Sequence, residues 1–203
     1  MRQPSRRLAI AVALSALALA GGSALAAPLE GDMTLGDPKA KVKMIEYASV
    51  SCSHCAHFNN EVFGAFKKKY IDTGKVHYTF REILTPPQQV AAAGFLTARC
   101  AGKDKYFAVV DAMFRGYDQM AKTGDVKANL VNAGKAGGLT EEQVKACVTN
   151  EAALNALTAR VERNAAADNV TGTPTFVFNG KTVKSGPMTA AELDAAVAEA
   201  SKR

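Results

Sequence analysis

Tryptophan is absent from this 203-residue chain, and cysteine occurs only four times. So few cysteines exclude a miniature domain that is held together mainly by disulfides. Hydrophobic residues make up 48% of the chain and charged residues 22%, a balance that excludes a disordered or collagen-like chain. Acidic residues are absent before Glu30. The composition is that of an ordinary globular protein with one or two domains.

The first 26 residues predict a secretion signal rather than part of the fold. Three arginines fall within the first seven residues, residues 8–20 are small or apolar, and Ala-Leu-Ala at residues 24–26 matches a signal peptidase site. An uncleaved membrane anchor is the alternative, but the apolar run is shorter than the roughly 20 residues that a transmembrane helix needs. We therefore expect cleavage after Ala26, a folded chain of residues 27–203, and export to the periplasm.

Basic residues only slightly outnumber acidic residues once this segment is set aside. Three of the 25 lysines and arginines lie in it, which leaves 22 against 19 acidic residues. So small an excess is weak support for a nucleic-acid or membrane partner, and we expect no nucleic acid to bind. Export would place the cysteines in an oxidising compartment, where pairs can form disulfides.

The order of predicted elements indicates an α/β fold. Residues 42–50 predict a mostly apolar strand, a helix follows from Cys52 to about Tyr70, and the alternating residues 76–83 predict a second strand. Such a βαβ unit joins two parallel strands.

In the second half of the chain, the predicted secondary structure changes twice. The pattern is helical from residue 86 to about residue 168, and strand character then returns at residues 174–178. Asn179-Gly180 predicts a hairpin into another short strand, and a helix closes the chain. Three N-caps are predicted, at Asp104, Thr140 and Thr189. We expect one domain with the order βαβ, helical insertion, ββα.

The strongest functional signal is Cys52-Ser53-His54-Cys55, placed where a strand passes into a helix. Unpaired N–H groups and the helix dipole at that point favour negative charge. A thiolate at Cys52 should therefore have a pKa below the free-thiol value of about 8.5. His54 can add positive charge or a hydrogen bond, and Cys55 is one turn away, where it can resolve a mixed disulfide on Cys52.

Other uses of this cysteine pair fit the sequence less well. A c-type haem site needs histidine directly after the second cysteine, where this chain has alanine. A structural zinc site needs four ligands, whereas Cys52, Cys55 and His57 cluster and Cys100 and Cys147 are isolated. A purely structural disulfide would close a very small loop and stabilise little. A redox-active pair is favoured.

Three segments give the chain a resemblance to a known family: VKMIEYASVSCSHC at residues 42–55, ARCAGKDKYFAVVDAMF at 98–114 and TGTPTFVFNGK at 171–181. The chain resembles DsbA-family thiol:disulfide oxidoreductases, which have a thioredoxin-like fold with a helical insertion. It is most similar to the branch common among alphaproteobacterial secreted proteins. Its central dipeptide is Ser-His, where the best-known DsbA has Pro-His.

The resemblance implies a role for each matching residue. Cys52 matches the nucleophile and Cys55 the resolving cysteine. Thr173-Pro174 matches a threonine and cis-proline that face the active site and bind the backbone of the substrate. Glu46 matches a buried acid that would relay a proton to or from Cys55, and the alternative is a solvated strand end. No cofactor is implied beyond the redox-active disulfide.

Cys100 and Cys147 fall on predicted helices of the insertion. In an oxidising compartment we expect them to form a structural disulfide, and the alternative is two free buried thiols. Their separation of 47 positions implies a stabilisation of about 4 kcal/mol on the chain-entropy model.

The resulting hypothesis is a monomeric, exported oxidase that donates its disulfide to folding proteins with free thiols. A DsbB-like, quinone-linked membrane protein would reoxidise it. Two alternatives remain open. One is a disulfide isomerase or reductase that is kept reduced, and the other is an exported copper-binding module that uses Cys52, Cys55 and His57.

Overall fold

The computed structural model describes residues 29–202. The predicted secretion signal, residues 1–26, lies outside the described residues. Within the part of the chain that is described, none of the helices combines the length and apolar character needed to cross a membrane.

A mixed five-stranded sheet forms the centre of the described chain, in the order β1-β3-β2-β4-β5. The parallel pair β2–β3 is the predicted βαβ unit, and every other neighbouring pair is antiparallel. The strands are β1 (Met33–Leu35), β2 (Val42–Ala48), β3 (Val76–Glu82), β4 (Thr175–Phe178) and β5 (Lys181–Ser185).

The helix that follows β2 runs without a break through alternating α and π turns. It comprises α1 (Ser53–Phe58), a π-helical turn (Asn59–Phe63), α2 (Gly64–Phe66) and a second π-helical turn (Lys67–Ile71). Its buried positions, Phe58, Phe66 and Ile71 among them, pack on the sheet. The predicted helix from Cys52 to Tyr70 is therefore correct in extent.

Helices occupy the chain between β3 and β4. They are α3 (Gln88–Cys100), α4 (Lys103–Arg115), α5 (Tyr117–Thr123), α6 (Val126–Ala136), α7 (Glu141–Val148) and α8 (Glu151–Ala167). The last helix, α9 (Ala190–Ala200), follows β5. The element order confirms the predicted α/β class, a thioredoxin-like fold with an inserted helical region.

Two of the three predicted N-caps are correct. Thr140 and Thr189 each form a capping box with the residue three positions on. The prediction for Asp104 was wrong, because Gly102 is the N-cap of α4 at a φ of 85°. The turn between α3 and α4 needs that left-handed conformation, which glycine adopts without strain. Asp104 instead lies in the first turn, where its charge suits the helix dipole.

Alternation along the strands divides the buried side chains between the two faces of the sheet. Met44, Tyr78 and Phe176 belong to the main core, which includes residues of α1, α3 and α4. Ile45, Tyr47 and Val177 form a small second cluster.

Glu82, at the end of β3, ties the inserted helices to the sheet. Its fully buried carboxylate accepts hydrogen bonds from Arg99 at 2.7 and 2.8 Å, from Arg160 at 3.1 Å and from Tyr106 at 3.0 Å. Because α3, α4 and α8 each contribute one donor, this single acid holds three elements against the strand.

Candidate active site

Cys52 lies at the point where the turn after β2 passes into α1. It is the N-cap residue, and its Sγ accepts a hydrogen bond from the Cys55 N–H at 3.3 Å. The turn before it is closed by a hydrogen bond from the Cys52 N–H to the Ser49 carbonyl at 3.1 Å. The Ser51 hydroxyl donates to the Thr85 carbonyl at 2.8 Å, which fixes this turn to the loop after β3. Cys52 thus has a defined position at the helix N-terminus.

The surroundings of Cys52 favour its thiolate. Its pKa is lowered to about 6. The largest cause is a hydrogen bond with the Cys55 side chain, and hydrogen bonds with the Thr173 side chain and with the backbone N–H groups of Cys55 and His54 act in the same direction. Partial burial opposes them. At neutral pH the thiolate is therefore the favoured form of Cys52.

Cys55 has the opposite environment. It is fully buried, and burial raises the pKa of its thiol well above the usual value, followed by the hydrogen bond and the charge of Cys52. Both thiols are free, so the structure shows the reduced pair. One sulfur is a partly exposed anion and the other is a buried, protonated thiol.

The loop before β4 faces Cys52. The Thr173–Pro174 peptide bond is cis, and the Thr173 carbonyl oxygen lies 3.6 Å from the Cys52 Sγ. The Pro174 carbonyl accepts from the Gly186 N–H at 2.7 Å, which fixes the loop beside β5. The nucleophilic sulfur and the Thr173 backbone are therefore neighbours.

Glu46 lies inside the sheet, paired with Phe80 of β3 and Phe176 of β4. Its carboxyl group is buried, 3% exposed, and accepts a hydrogen bond from the Tyr78 hydroxyl at 2.7 Å. Burial raises the pKa of Glu46 to about 8, the Tyr78 hydrogen bond acts against that, and the Cys52 charge adds to it. In turn, the Glu46 charge contributes to the raised pKa of Cys55, so the acid and both sulfurs interact.

The other predicted residues are His54, Cys100 and Cys147. His54 is exposed in the first turn of α1 and supplies Cys52 with its backbone N–H. A role for its imidazole stays a prediction. Cys100 and Cys147 are joined in a disulfide with a Cα–Cα distance of 6.0 Å, which connects α3 to α7.

Tyr78 and the Ser49–Ser51–Thr85 hydrogen bonds were not predicted from the sequence. Tyr78 could have been found from the strand pairing, because alternation along β3 places it on the same face as Phe80, the partner of Glu46. The serines carry no comparable signal, since their hydrogen bonds depend on how the loop after β3 folds back.

No group of three or more histidine, cysteine and acidic side chains within residues 29–202 is arranged to hold a metal ion.

Comparison with known proteins agrees with this geometry. The sequence profile of the thioredoxin family matches residues 29–199. A Rickettsia typhi protein with the provisional name protein-disulfide oxidoreductase is 35% identical over 150 residues, which are 73% of this chain and 55% of that protein. The chain thus spans about half the length of this relative.

Solved structures resemble the chain over most of its length. Wolbachia pipientis alpha-DsbA1 has a TM-score of 0.78 and 25% identity, with coverage of 89% of this chain and 96% of that one. BdbD from Bacillus subtilis, in its oxidised form, has a TM-score of 0.69 and 19% identity over 85% of this chain and 94% of that one, a likeness of fold alone.

The chain belongs to the thioredoxin family. This membership and the likeness to Wolbachia pipientis alpha-DsbA1 confirm the resemblance to DsbA-family proteins that the three motifs carry.

Proposed function

We propose that this protein is an exported thiol:disulfide oxidoreductase that introduces disulfide bonds into other proteins through Cys52 and Cys55. The observation that carries the proposal is the unequal pair of sulfurs. The pKa of Cys52 is lowered to about 6 at a partly exposed helix N-terminus, whereas burial raises the pKa of Cys55. A nucleophilic cysteine needs a lowered pKa and access to the substrate, whereas the second cysteine can stay buried and protonated until it reacts.

The direction of electron flow follows from the stabilised thiolate. The hydrogen bonds around the Cys52 sulfur are stronger to an anion than to a disulfide. They stabilise the reduced form, and a protein whose reduced form is stabilised has an oxidising disulfide. The enzyme therefore passes the 52–55 disulfide to substrates, and the pair is not held in the dithiol form to act as a reductant.

The reaction begins when a substrate thiolate attacks the Cys52 sulfur of the oxidised enzyme. The Cys52–Cys55 bond breaks, a bond from Cys52 to the substrate forms, and Cys55 departs as a thiolate. Glu46, in its acid form, gives that thiolate a proton. Because Cys55 is buried, leaving it as an anion would be costly.

The second step releases the product. The second substrate thiolate attacks the substrate sulfur of the mixed disulfide, and Cys52 departs as a stabilised thiolate. Two electrons have then passed from substrate to enzyme. Of the two substrate thiol protons, one is balanced by the proton retained on Cys55 and the other is released to solvent.

The substrates that suit this site are unfolded or folding exported proteins with free thiols. An extended segment can pair with the Thr173 backbone beside Pro174, as in strand addition. Export through residues 1–26, a periplasmic location, a monomeric state and reoxidation by a DsbB-like membrane protein are parts of the same proposal. The redox-active disulfide is its reacting group, with no further cofactor.

A refolding assay tests the proposal. The oxidised protein is mixed with a reduced, unfolded substrate that needs disulfides for activity, with Cys52→Ser as the control. Recovery of active substrate, matched by stoichiometric reduction of the enzyme and absent in the control, is expected. A second arm uses a scrambled substrate.

Isomerisation of the scrambled substrate without dithiol oxidation would overturn the oxidase direction. Tight, stoichiometric Cu(I) binding without any thiol exchange would overturn the enzyme proposal and favour the copper-binding alternative.

A further inference from the structure

The end of the sheet opposite the reacting sulfurs is rich in lysine. It is formed by residues 37–43, 67–75, 179–181 and 194–202, which contain nine lysines and four acidic residues. These four segments are called the lysine face below. The rest of the described chain carries twelve basic and fifteen acidic residues. The small overall excess of positive charge therefore hides a clear separation of charge between the two parts.

Hydrogen bonds and strand pairing bring the four segments of the lysine face together. The Lys43 N–H donates to the Asn179 side chain at 2.8 Å, and the Asn179 amide donates to the Ala200 carbonyl at 3.0 Å. The Lys75 N–H donates to the Tyr70 carbonyl at 2.9 Å. Because β2 and β3 are parallel and their first residues are paired, the starts of both strands, the β4–β5 turn and the ends of two helices form one continuous surface.

The lysine face and Cys52 lie at opposite ends of β2. The strand begins at Val42, directly after Lys41, and its seven residues span about 20 Å. Cys52 comes four residues after the last residue of the strand, Ala48. A flat partner bound to the lysine face therefore leaves the reacting sulfur open to solvent.

Several lysines of this face have no acidic partner. Lys67, Lys69 and Lys202 form ion pairs with acids of the same face. Five others are exposed and have no ion pair among the described contacts: Lys39, Lys41, Lys68, Lys75 and Lys181. Their charges remain available to an external anionic surface.

A cleft of about 420 Å³ opens on the lysine face. Lys41 and Lys75 line it together with Val42, Val197 and Ser201. Ammonium groups next to apolar side chains suit a ligand whose negative head is joined to hydrocarbon. A phospholipid headgroup has this chemistry, and basic pockets are a known way to bind such headgroups.

The composition of the face favours lipid over nucleic acid or a discrete phosphate group. All five arginines among residues 29–202 lie outside it. Arginine is suited to paired hydrogen bonds with one phosphate or carboxylate, whereas lysine acts as a hydrated point charge. Tyr70 is the face's aromatic residue. It is half-buried, and its hydroxyl donates to Asp194 at 2.9 Å, so the face offers no exposed ring for a base to stack on.

We propose that the lysine face docks on an anionic lipid bilayer, with Cys52 and the loop before β4 directed away from the membrane. The inference goes beyond the proposed function and takes from it only the export that brings the protein next to a membrane. The attraction acts between exposed charges, so it is reversible and weakens with salt. Docked in this way, the protein presents Cys52 to exported chains, and it must leave the surface or turn before a membrane protein can reoxidise it.

Co-sedimentation with vesicles tests the docking. The protein isolated after export is mixed with vesicles of phosphatidylglycerol and phosphatidylcholine, or of phosphatidylcholine alone, at low and at high salt. We expect binding only to the anionic vesicles and its loss at high salt. The triple variant Lys41→Gln, Lys68→Gln, Lys75→Gln should bind about a hundredfold more weakly, since each lysine near an anionic surface contributes about fivefold.

A second triple variant, Lys103→Gln, Lys105→Gln, Lys122→Gln, is the matched control. It removes the same charge from three exposed lysines of the inserted helices, which have no ion pair among the described contacts. It should bind vesicles like the wild type. Equal losses in the two variants would overturn the proposal, because binding would then follow net charge alone. Equal binding to neutral vesicles, or retention of transfer RNA without any binding to vesicles, would overturn it as well.

The orientation has its own test. A fluorophore is attached to Cys52 of the reduced protein, and the vesicles carry a nitroxide quencher on their headgroups. Its fluorescence should be quenched little, whereas the same fluorophore on Lys68→Cys in a Cys52→Ser background should be quenched strongly. The reverse pattern would overturn the orientation. A protein that oxidises dithiols but binds no vesicle would contradict this inference alone and leave the proposed function standing.

Discussion

Glu46 is an acid inside a sheet, and its environment makes the stability of the protein depend on pH. Its pKa is raised from 4.5 to about 8, chiefly by burial. Because the folded state favours the protonated form, its contribution to stability is complete below the unfolded pKa. That contribution is lost as pH rises from there through the folded pKa.

Glu46→Gln removes this dependence while it keeps an acceptor for the Tyr78 hydroxyl. We expect the variant to match the wild type near pH 4 and to be more stable near pH 8 by a few kcal/mol, at about 1.4 kcal/mol for each unit of pKa shift. Urea unfolding at several pH values measures this. Glu61→Gln is the control, because Glu61 is exposed in the first π-helical turn. Its stability should show no such dependence on pH. A Glu46→Gln protein that is less stable near pH 8 would contradict the assignment.

The reacting residues of the site could be predicted from the sequence, but the residues that position them could not. Cys52 and Cys55 stand out because a CxxC at a strand-to-helix junction has few other uses, and Glu46 was carried over from a family motif. Tyr78 was missed because its bond to Glu46 depends on how β2 and β3 pair. Asp104 was wrongly predicted as the N-cap. The turn before α4 requires a left-handed backbone conformation, which Gly102 adopts, although glycine is the weaker capping residue.

The loop that carries Thr173 and Pro174 is anchored at its beginning. Directly after α8, the Asp168 carboxylate accepts a hydrogen bond from the Tyr47 hydroxyl at 2.5 Å, and Arg81 lies 3.7 Å from it. Arg81 also donates to the Tyr47 hydroxyl at 2.7 Å. Val170, two residues on, packs against the second hydrophobic cluster. The loop thus starts from a fixed point on β2 and β3 before it reaches Cys52.

Asp168→Asn should loosen this anchor, because it removes the charge from a partly buried hydrogen bond. We expect the free energy of unfolding to fall by about 1 kcal/mol, the difference between a hydrogen bond to a charged acceptor and one to a neutral acceptor. The KM for a protein substrate should rise while alkylation of Cys52 keeps its pH midpoint.

Asp194→Asn is the matched control, since Asp194 forms an exposed ion pair with Lys69 and such pairs contribute little. Equal effects of the two substitutions on KM would show that the anchor does not position the loop.

The larger elements were predictable because each has its own period or turn signal. The four-residue spacing of Phe58, Val62 and Phe66 predicts the long helix, and Asn179-Gly180 marks the hairpin, where both residues have positive φ. β1 was missed because three residues in a polar, turn-rich stretch carry no period. It becomes a strand only by pairing with β3. The π-helical turns likewise have no sequence signal of this kind.

The whole molecule depends on contacts between the inserted helices and the sheet. Glu82 supplies one such connection, and the Cys100–Cys147 disulfide closes a loop of 47 positions between α3 and α7. This disulfide lies within the insertion, away from the reacting sulfurs. Its contribution should therefore appear in stability and not in the chemistry of Cys52.

Replacing both residues, Cys100→Ala with Cys147→Ala, should lower the free energy of unfolding by about 4 kcal/mol on the chain-entropy model. Denaturant unfolding without reductant measures the loss, and the rate of dithiol oxidation should stay close to that of the wild type. The wild type in reductant is the control, because it should lose a similar amount. An unchanged unfolding midpoint would mean that the disulfide does not hold the insertion together.

The lowered pKa of Cys52 depends on the whole fold, since a helix, a turn and the loop before β4 all act on its sulfur. Its most direct test is the rate of iodoacetamide alkylation of Cys52 in the reduced protein, followed across pH and assigned by peptide mapping. We expect a midpoint of about 6. A midpoint near the free-thiol value of about 8.5 would contradict it.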